Sequence, residues 1–71
     1  MIIVNQDKNL IVNLDNIESI YIKDLEIRYE GTYGTGYLLG QYSNAKRVSI
    51  VWKELIDVIA IGQTIYIFPL K

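Results

Sequence analysis

The sequence contains few of the side chains on which enzyme chemistry usually depends. Its 71 residues include no histidine and no cysteine, so the commonest general base, the commonest metal ligand and the thiolate nucleophile are missing. Catalysis would need paired carboxylates, a lysine or an activated hydroxyl. Glu26 and Glu30 lie four residues apart in one predicted strand, and the residues around them do not predict a cleft. We therefore expect no enzyme activity, no metal site and no cofactor.

Tyrosine is the residue type that stands out. Six tyrosines occur, and a domain of this size cannot bury all of them with their hydroxyl groups satisfied. Two interpretations are open. The tyrosines reflect ordinary strand propensity, or they form an exposed aromatic patch that contacts a protein or a planar ligand. For the second interpretation, we predict a binding patch made of Tyr33, Tyr37, Tyr21 and Tyr66.

Lys46 and Arg47 form a local concentration of positive charge at the start of a predicted helix. Free backbone N–H groups at a helix start also favour anions, so these two residues are a candidate anion contact. The alternative is a solvated first turn. The glycine-rich segment 31–36 resembles a phosphate-binding loop only superficially, because it precedes a strand and lacks a following Lys-Ser/Thr pair. It predicts a wide hairpin loop.

Composition narrows the class of partner. The formal charge is −1, so the chain lacks the positive field with which proteins bind nucleic acid. The start of the chain is too short in its apolar run for a signal peptide, and no run approaches the roughly 18 residues of a membrane span. We expect no nucleic acid, no membrane and, because cysteine is absent, a reducing cytoplasmic setting.

The stretch from Asn44 to Ile61 predicts an amphipathic helix. Apolar residues recur at the spacing of one helical face, namely Val48, Val51, Trp52, Leu55 and Ile59. Asn44 or Ser43 can cap the first turn, and Gly62 can adopt the left-handed conformation that closes the last turn. Such a helix needs an apolar surface to pack against, and the rest of the chain offers only short strands.

Those strands are separated by polar or glycine-containing breaks. A four-residue connection, 6–9, predicts a hairpin between the first two strands, and Asp15-Asn16 predicts a bend, bulge or tight turn. The third and fourth strands are 17–22 and 25–30, and the fifth is 37–42. A last strand ends before Pro69, whose missing N–H favours a position at a sheet edge. We predict a single α+β domain over 1–71, in which one helix packs on a small, twisted, mainly antiparallel sheet of four to six strands, in the order β-β-β-β-β-α-β.

The predicted core follows from the same patterns. It consists of Ile3, Val12, Ile20, Ile22, Leu25, Ile27, Leu39, Val48, Val51, Trp52, Leu55, Ile59, Ile65 and Ile67. Further apolar residues fall outside it: Ile11, Ile17, Tyr21, Ile50, Ile56, Val58, Tyr66 and Phe68. A monomer would expose this second set, and large apolar patches usually mark an interface. We therefore predict a homodimer or a higher closed oligomer.

Several short motifs resemble a group of small proteins, uncharacterised in function, from Gram-positive bacteria and their phages. They are the first eight residues, Ile-Val-Asn-Leu-Asp-Asn-Ile at 11–17, Ile-Tyr-Ile at 20–22, Leu-Gly-Gln-Tyr at 39–42 and the Tyr-x-Phe-Pro ending at 66–69. The helix start at 44–47 keeps the basic part of that group's pattern and lacks its acidic part. The resemblance implies an origin and no mechanism.

Two functions from different classes fit these observations. The first is a small interaction protein without enzyme activity, encoded by a phage or mobile element, that binds a host macromolecule such as a host protein. The second is an oligomeric protein that sequesters an anionic nucleotide or a similar small molecule, with tyrosine stacking on the base and Lys46 or Arg47 on the phosphate. A structural domain of a larger assembly is a third possibility.

Overall fold

The computed structural model describes residues 1–31 and 36–71 and confirms the predicted fold class. The elements are β1 (Ile2–Val4), β2 (Ile11–Asn13), one turn of 3₁₀ helix (Leu14–Asn16), β3 (Ile17–Lys23), β4 (Glu26–Gly31), β5 (Gly36–Gln41), α1 (Ala45–Ala60) and β6 (Ile65–Ile67). Their order is the predicted β-β-β-β-β-α-β. In the described part of the chain, no helix has both the length and the apolar character needed to cross a membrane.

The strands form two three-stranded sheets. Sheet 1 has the order β2-β1-β6 and sheet 2 the order β3-β4-β5. Both pairings in sheet 2 and the β1–β2 pairing are antiparallel, whereas β6 lies parallel to β1. The last strand lies at an edge of sheet 1, as the position of Pro69 indicated.

Buried Asn5 organises the predicted hairpin between β1 and β2. Its side-chain oxygen accepts hydrogen bonds from the backbone N–H groups of Asn9 and Leu10, both at 3.0 Å. Its amide nitrogen donates to the side-chain oxygen of Asn9 at 2.8 Å. Lys8 takes a left-handed backbone conformation within this connection, with φ of 60°. The Asn5 side chain therefore satisfies backbone donors that a turn would otherwise leave free.

The predicted break at Asp15-Asn16 is the 3₁₀ turn between β2 and β3. The side chain of Asn13 accepts from the backbone N–H of Asp15 at 3.0 Å and so caps this turn. A second turn joins β3 to β4 and contains Asp24 in the left-handed region, with φ of 55°. Aspartate tolerates that conformation better than most residues.

Helix α1 has the two ends that the sequence predicts. Asn44 is the N-cap, and its side-chain oxygen accepts from the backbone N–H of Arg47 at 2.8 Å. At the other end, Gly62 has φ of +75°. The N–H of Gly62 donates to Ile59 O at 3.1 Å and that of Gln63 to Val58 O at 3.0 Å, which is the Schellman pattern.

The core lies where α1 packs across β4, between the inner faces of the two sheets. Six predicted core residues are buried: Ile3, Ile27, Leu39, Val48, Val51 and Leu55. Val12, Ile20 and Trp52 are partly buried and pack against them. The remaining predictions, Ile22, Leu25, Ile59, Ile65 and Ile67, are wrong, because each of these side chains is at least 36% exposed.

Each of these corrections has a structural reason. Ile22 lies near the end of an edge strand, and Leu25 belongs to the turn before β4. Ile59 lies in the last turn of α1, beyond the final buried position, Leu55. The other two belong to β6, where the face turned to the core is the reverse of the predicted one. Tyr66 in the strand and Phe68 directly after it are buried, and their isoleucine neighbours point outward.

The apolar residues predicted to lie outside the core divide into three groups. Ile11, Ile50 and Ile56 are exposed. Ile17 and Val58 are partly buried against the core, and Tyr21 is half-buried. Tyr66 and Phe68 are core residues, at 4% and 0% exposure, so the prediction that they are surface residues is wrong.

Gln6 joins the two sheets. Its backbone N–H donates to Leu39 O at 2.7 Å, and its side-chain oxygen accepts from the N–H of Gln41 at 2.8 Å. Its side-chain amide donates to Gln41 O at 2.9 Å and to Leu70 O at 2.7 Å. Gln6, two residues after the end of β1, thus occupies the free edge of β5 and also holds the segment that follows β6.

Candidate interaction surface

The four tyrosines predicted to form an aromatic patch do not come together. Tyr21 pairs with Arg28 across β3 and β4, on the outer face of sheet 2. Tyr37 pairs with Tyr29 across β4 and β5, on the opposite, inner face. Tyr66 belongs to sheet 1, and Tyr33 lies outside the described residues. The predicted patch is therefore not assembled by the described residues.

Tyr66 has a structural place in the core. Its ring packs edge-on against Phe68, with centroids 5.1 Å apart, and its hydroxyl donates to Glu54 Oε1 on α1 at 2.9 Å. Burial raises the pKa of this hydroxyl, and the hydrogen bond to the Glu54 carboxylate raises it further. The hydrogen bond ties β6 to the helix. The prediction that Tyr66 belongs to an exposed binding patch is therefore wrong.

Among the described tyrosines of the predicted patch, Tyr37 is the most exposed to solvent, at 46%. Its ring stacks on that of Tyr29, with centroids 5.2 Å apart and planes 25° apart. Tyr29 is buried, and burial raises the pKa of its hydroxyl, with a smaller contribution from Tyr37. One face of the Tyr37 ring is therefore occupied, which limits stacking with a planar ligand to the other face.

The candidate anion residues differ in what they contact. The Nε of Arg47 donates to Lys71 O at 2.7 Å, and its guanidinium carbon lies 5.9 Å from the centroid of the Tyr42 ring. Lys46 is exposed at the helix start. Tyr37 lies near the start of β5 and Lys46 lies beyond its end, so the length of a strand separates these two residues.

The outer face of sheet 2 is polar, and Arg28 lies at its centre. We define the polar face by Ser19, Tyr21, Lys23, Glu26, Arg28, Glu30 and Leu38, which the strand register places on one side. The guanidinium donates to Glu26 Oε1 at 3.0 Å and to Gly36 O at 3.2 Å. The hydrogen bond to Glu26, with a smaller contribution from Tyr21, raises the pKa of Arg28. The predicted pair Glu26 and Glu30 flanks this cation on the face.

Tyr21 reaches across the same face toward β5. A Cβ atom on Gly36 would lie 2.9 Å from the Tyr21 hydroxyl oxygen, so this glycine leaves the space that the hydroxyl occupies. The hydroxyl also interacts with Arg28. Among residues 1–31 and 36–71, no three acidic side chains converge in a way that would hold a metal ion. Glu26 and the carbonyl of Gly36 thus hold the guanidinium of Arg28 on this face.

The outer face of sheet 1 has the opposite character. The register aligns Ile11, Val4 and Ile67 in one row and Asn13, Ile2 and Ile65 in another. Both rows point away from the core, because the row between them, Val12, Ile3 and Tyr66, points into it. We call Ile2, Val4, Ile11, Ile65 and Ile67 the aliphatic face. No charged side chain lies among these described positions.

The isoleucines of the aliphatic face are substantially exposed. Ile11 is exposed to 67%, Ile67 to 50%, Ile65 to 46% and Ile2 to 36%, while Val4 is half-buried. An antiparallel sheet with one solvated face normally alternates apolar and polar residues. Sheet 1 instead carries aliphatic residues on both faces, and α1 together with sheet 2 covers only the inner one.

Sequence reasoning identified an excess of apolar surface but missed most of this face. Only Ile11 was among the residues predicted to lie outside the core, whereas Ile65 and Ile67 were assigned to the core. One usable signal was present. The runs 2–4 and 65–67 contain no charged residue, so whichever face of each strand is buried, the other presents an apolar or aromatic surface to solvent.

Comparisons with known proteins give no family for this arrangement. Neither a scan against protein-family models nor searches of curated proteins and of solved structures found a match. The resemblance to small proteins of Gram-positive bacteria and their phages therefore stays a prediction.

Proposed function

We propose that this chain is a small interaction protein without enzyme activity, which binds another protein through the aliphatic face. The single observation that carries the proposal is the row Ile11, Val4, Ile67 with Ile2 and Ile65 beside it, pointing away from the core. Isolated exposed apolar residues are ordinary on soluble proteins. Five adjacent aliphatic residues on the outer side of a sheet are not, and such patches typically mark interaction sites.

The chemistry of the face favours a protein partner over a charged ligand. A face without charged side chains offers nothing to a phosphate or a carboxylate, whereas it matches the charge-depleted centre of protein interfaces. The branched side chains stand on a paired sheet, so little conformational freedom is lost when they are covered. The face is thus suited to contact an apolar surface of comparable flatness.

The proposed partner is a host macromolecule, in line with the proposed phage or mobile-element origin, and the proposed compartment is the cytoplasm. The origin rests on the sequence resemblance, and the compartment on the absence of cysteine. The lack of histidine and cysteine also supports a function without catalysis. On sheet 2, the guanidinium of Arg28 is already hydrogen-bonded to Glu26 and to Gly36 O.

Capture from a Gram-positive lysate tests the proposal when surface variants are compared. The double variant Ile11→Lys with Ile67→Lys places two charges on the aliphatic face. The matched control, Ile50→Lys with Ile56→Lys, changes the charge equally at helix positions that are 45% and 50% exposed. We expect the wild-type chain and the helix control to retain the same proteins, and the face variant to lose them.

Two results would overturn this proposal. Retention of the same proteins by the face variant would show that another surface makes the contact. Retention of none by the wild-type chain, together with stabilisation by a nucleotide in a thermal-shift panel, would favour the small-molecule alternative. A nucleotide at 100-fold its dissociation constant raises the free energy of unfolding by about 2.7 kcal/mol, which such a panel detects.

A further inference from the structure

We infer that a second copy of this chain covers the aliphatic face, in a symmetric dimer that packs sheet 1 of one protomer on sheet 1 of the other. The inference rests on the proposed function, in that it takes this face to be the contact surface, and it names the occupant when no other partner is bound. It requires that the face be complementary to itself. The composition of the face and its geometry meet this requirement, and the edge of sheet 1 is less suited to the contact.

The composition of the face favours self-association. Homodimer interfaces are more apolar than those between proteins that also exist apart, and polar groups usually set specificity for a foreign partner. Of the six positions in the two outward rows, only Asn13 is polar, and its side-chain oxygen already accepts from the N–H of Asp15. Like-charge repulsion between two copies does not arise on these rows, because none of the six is charged.

The geometry allows a two-fold axis. β1 is the middle strand of sheet 1, and its outward residue Val4 is flanked by Ile11 on one side and Ile67 on the other. A two-fold axis that lies in the interface, parallel to the plane of the sheet and above Val4, would place isoleucines of one protomer over isoleucines of its partner. Two sheets packed in this way lie about 10 Å apart, with their strands within about 30° of each other.

The edge of sheet 1 is less suited to pairing than its face. β6 is the edge strand nearest the C-terminus, and an added strand would need its outward backbone groups. The side-chain amide of Gln63 donates to Ile65 O at 2.6 Å, which occupies one acceptor that an added strand would use. The strand also has only three residues. Contact through the face is therefore favoured over strand addition.

The exposed area sets the expected strength of the dimer. Together the four isoleucines expose about as much surface as two fully exposed isoleucines. Stable complexes usually bury about 800 Å² per partner. We therefore expect a dimer weaker than most stable complexes, so that a tighter-binding partner can displace the second copy.

Sedimentation equilibrium across about 5 to 500 µM, a range that detects micromolar to submillimolar dissociation constants, tests the inference. The wild-type chain is expected to pass from the 8.2 kDa monomer to a dimer over this range. Ile11→Lys with Ile67→Lys should stay monomeric, and the helix control, Ile50→Lys with Ile56→Lys, should dimerise as the wild type does. Ile11→Thr with Ile67→Thr keeps the β-branched shape and should raise the dissociation constant at least about tenfold. Circular dichroism establishes that each variant is folded.

The outcomes separate this inference from the proposed function. A wild-type chain that stays monomeric at all concentrations overturns the dimer and leaves capture of a partner through the aliphatic face intact. A dimer that the folded threonine variant does not weaken also overturns the inference, because the contact then lies elsewhere. A dimer that the face variants abolish, with no protein captured from lysate, supports the inference while the proposed function fails.

Discussion

The outer faces of the two sheets differ in almost every chemical respect. The polar face of sheet 2 carries four charged residues, of which Arg28 and Glu26 form an ion pair 3.0 Å apart. The aliphatic face of sheet 1 carries none and makes no comparable contacts. Both faces belong to short strands of one small domain. Only the polar face of sheet 2 has the composition expected of a solvent-exposed surface.

The difference indicates that the stability of the folded monomer does not by itself explain the composition of the aliphatic face. A polar outer face is explained by solvent, because charged side chains stay hydrated there and pair with their neighbours. Exposed isoleucines lower neither the free energy of the monomer nor its tendency to aggregate. Their presence is explained if another surface covers them, which is why the proposed function and the dimer both rest on sheet 1.

The largest expected effect tests which side of β6 faces the core. Phe68→Ala removes a fully buried ring and should lower the free energy of unfolding by about 3 to 5 kcal/mol, because a cavity is left in the core. Ile67→Ala, one residue earlier, should cost less than about 1 kcal/mol in the dilute monomer. Urea melts monitored by circular dichroism measure both. Equal losses for the two variants would contradict the assignment of the aliphatic face to the outside.

The next effect tests whether the two sheets unfold as one unit. Gln6→Ala removes three side-chain hydrogen bonds to Gln41 and Leu70 and should lower the free energy of unfolding by about 1 to 2 kcal/mol. Gln63→Ala, which removes one exposed side-chain hydrogen bond, is the matched control and should cost less. Urea melts followed by both circular dichroism and Trp52 fluorescence should stay coincident for the wild type and separate first in the Gln6 variant, if this residue couples the sheets.

The sequence predicted those features that a local pattern determines. Asn44 and Gly62 define the helix ends through short-range hydrogen bonds and backbone conformation, and both assignments are confirmed. In β4 the strict alternation of apolar and charged residues correctly placed Ile27 inside. In each case the residue type suits only one environment, so the pattern predicts a single local structure.

The sequence pattern was misleading where both faces of a strand are apolar. In β6 the isoleucines and the aromatic residues alternate, and period two cannot tell which set faces the core. The choice is made by tertiary contacts: Tyr66 reaches Glu54 on the helix, and Phe68 fills space that isoleucine would leave empty. The division into two sheets and the bridge made by Gln6 likewise depend on contacts between distant segments, 35 residues apart for Gln6 and Gln41, which no local pattern encodes.

Tyr42 gives a pH-dependent test of the contact between sheet 2 and the segment after β6. Its hydroxyl donates to Pro69 O at 2.9 Å, and burial raises its pKa to about 12, opposed by Arg47 and supported by Glu54. The unfolded chain releases this proton near pH 10. The neutral hydroxyl therefore stabilises the fold fully below pH 10, and this contribution is lost as the pH rises from 10 toward 12.

The variant Tyr42→Phe isolates that contribution from the other groups that titrate in the same range. At pH 8 it should be less stable than the wild type by about 1 kcal/mol, through loss of the hydrogen bond. Between pH 10 and 12 the difference should shrink, because only the wild type gives up a tyrosine proton at this position when it unfolds. Urea melts at pH 8, 10 and 11 measure the difference, and a constant gap across these values would contradict the raised pKa.

The smallest expected effect on stability lies on the polar face and completes the contrast between the two sheets. Arg28→Ala removes the contacts to Glu26 and Gly36, but these groups can be rehydrated, so the urea midpoint should fall by less than in the Gln6 variant. Arg28→Lys keeps the charge and loses the planar geometry, and should fall between alanine and wild type. Neither variant should change the sedimentation behaviour or the proteins captured from lysate. Loss of captured proteins in a folded Arg28→Ala variant would instead identify the polar face, with Tyr21 and Arg28 at its centre, as the contact surface, since arginine and tyrosine often dominate binding energy in interfaces.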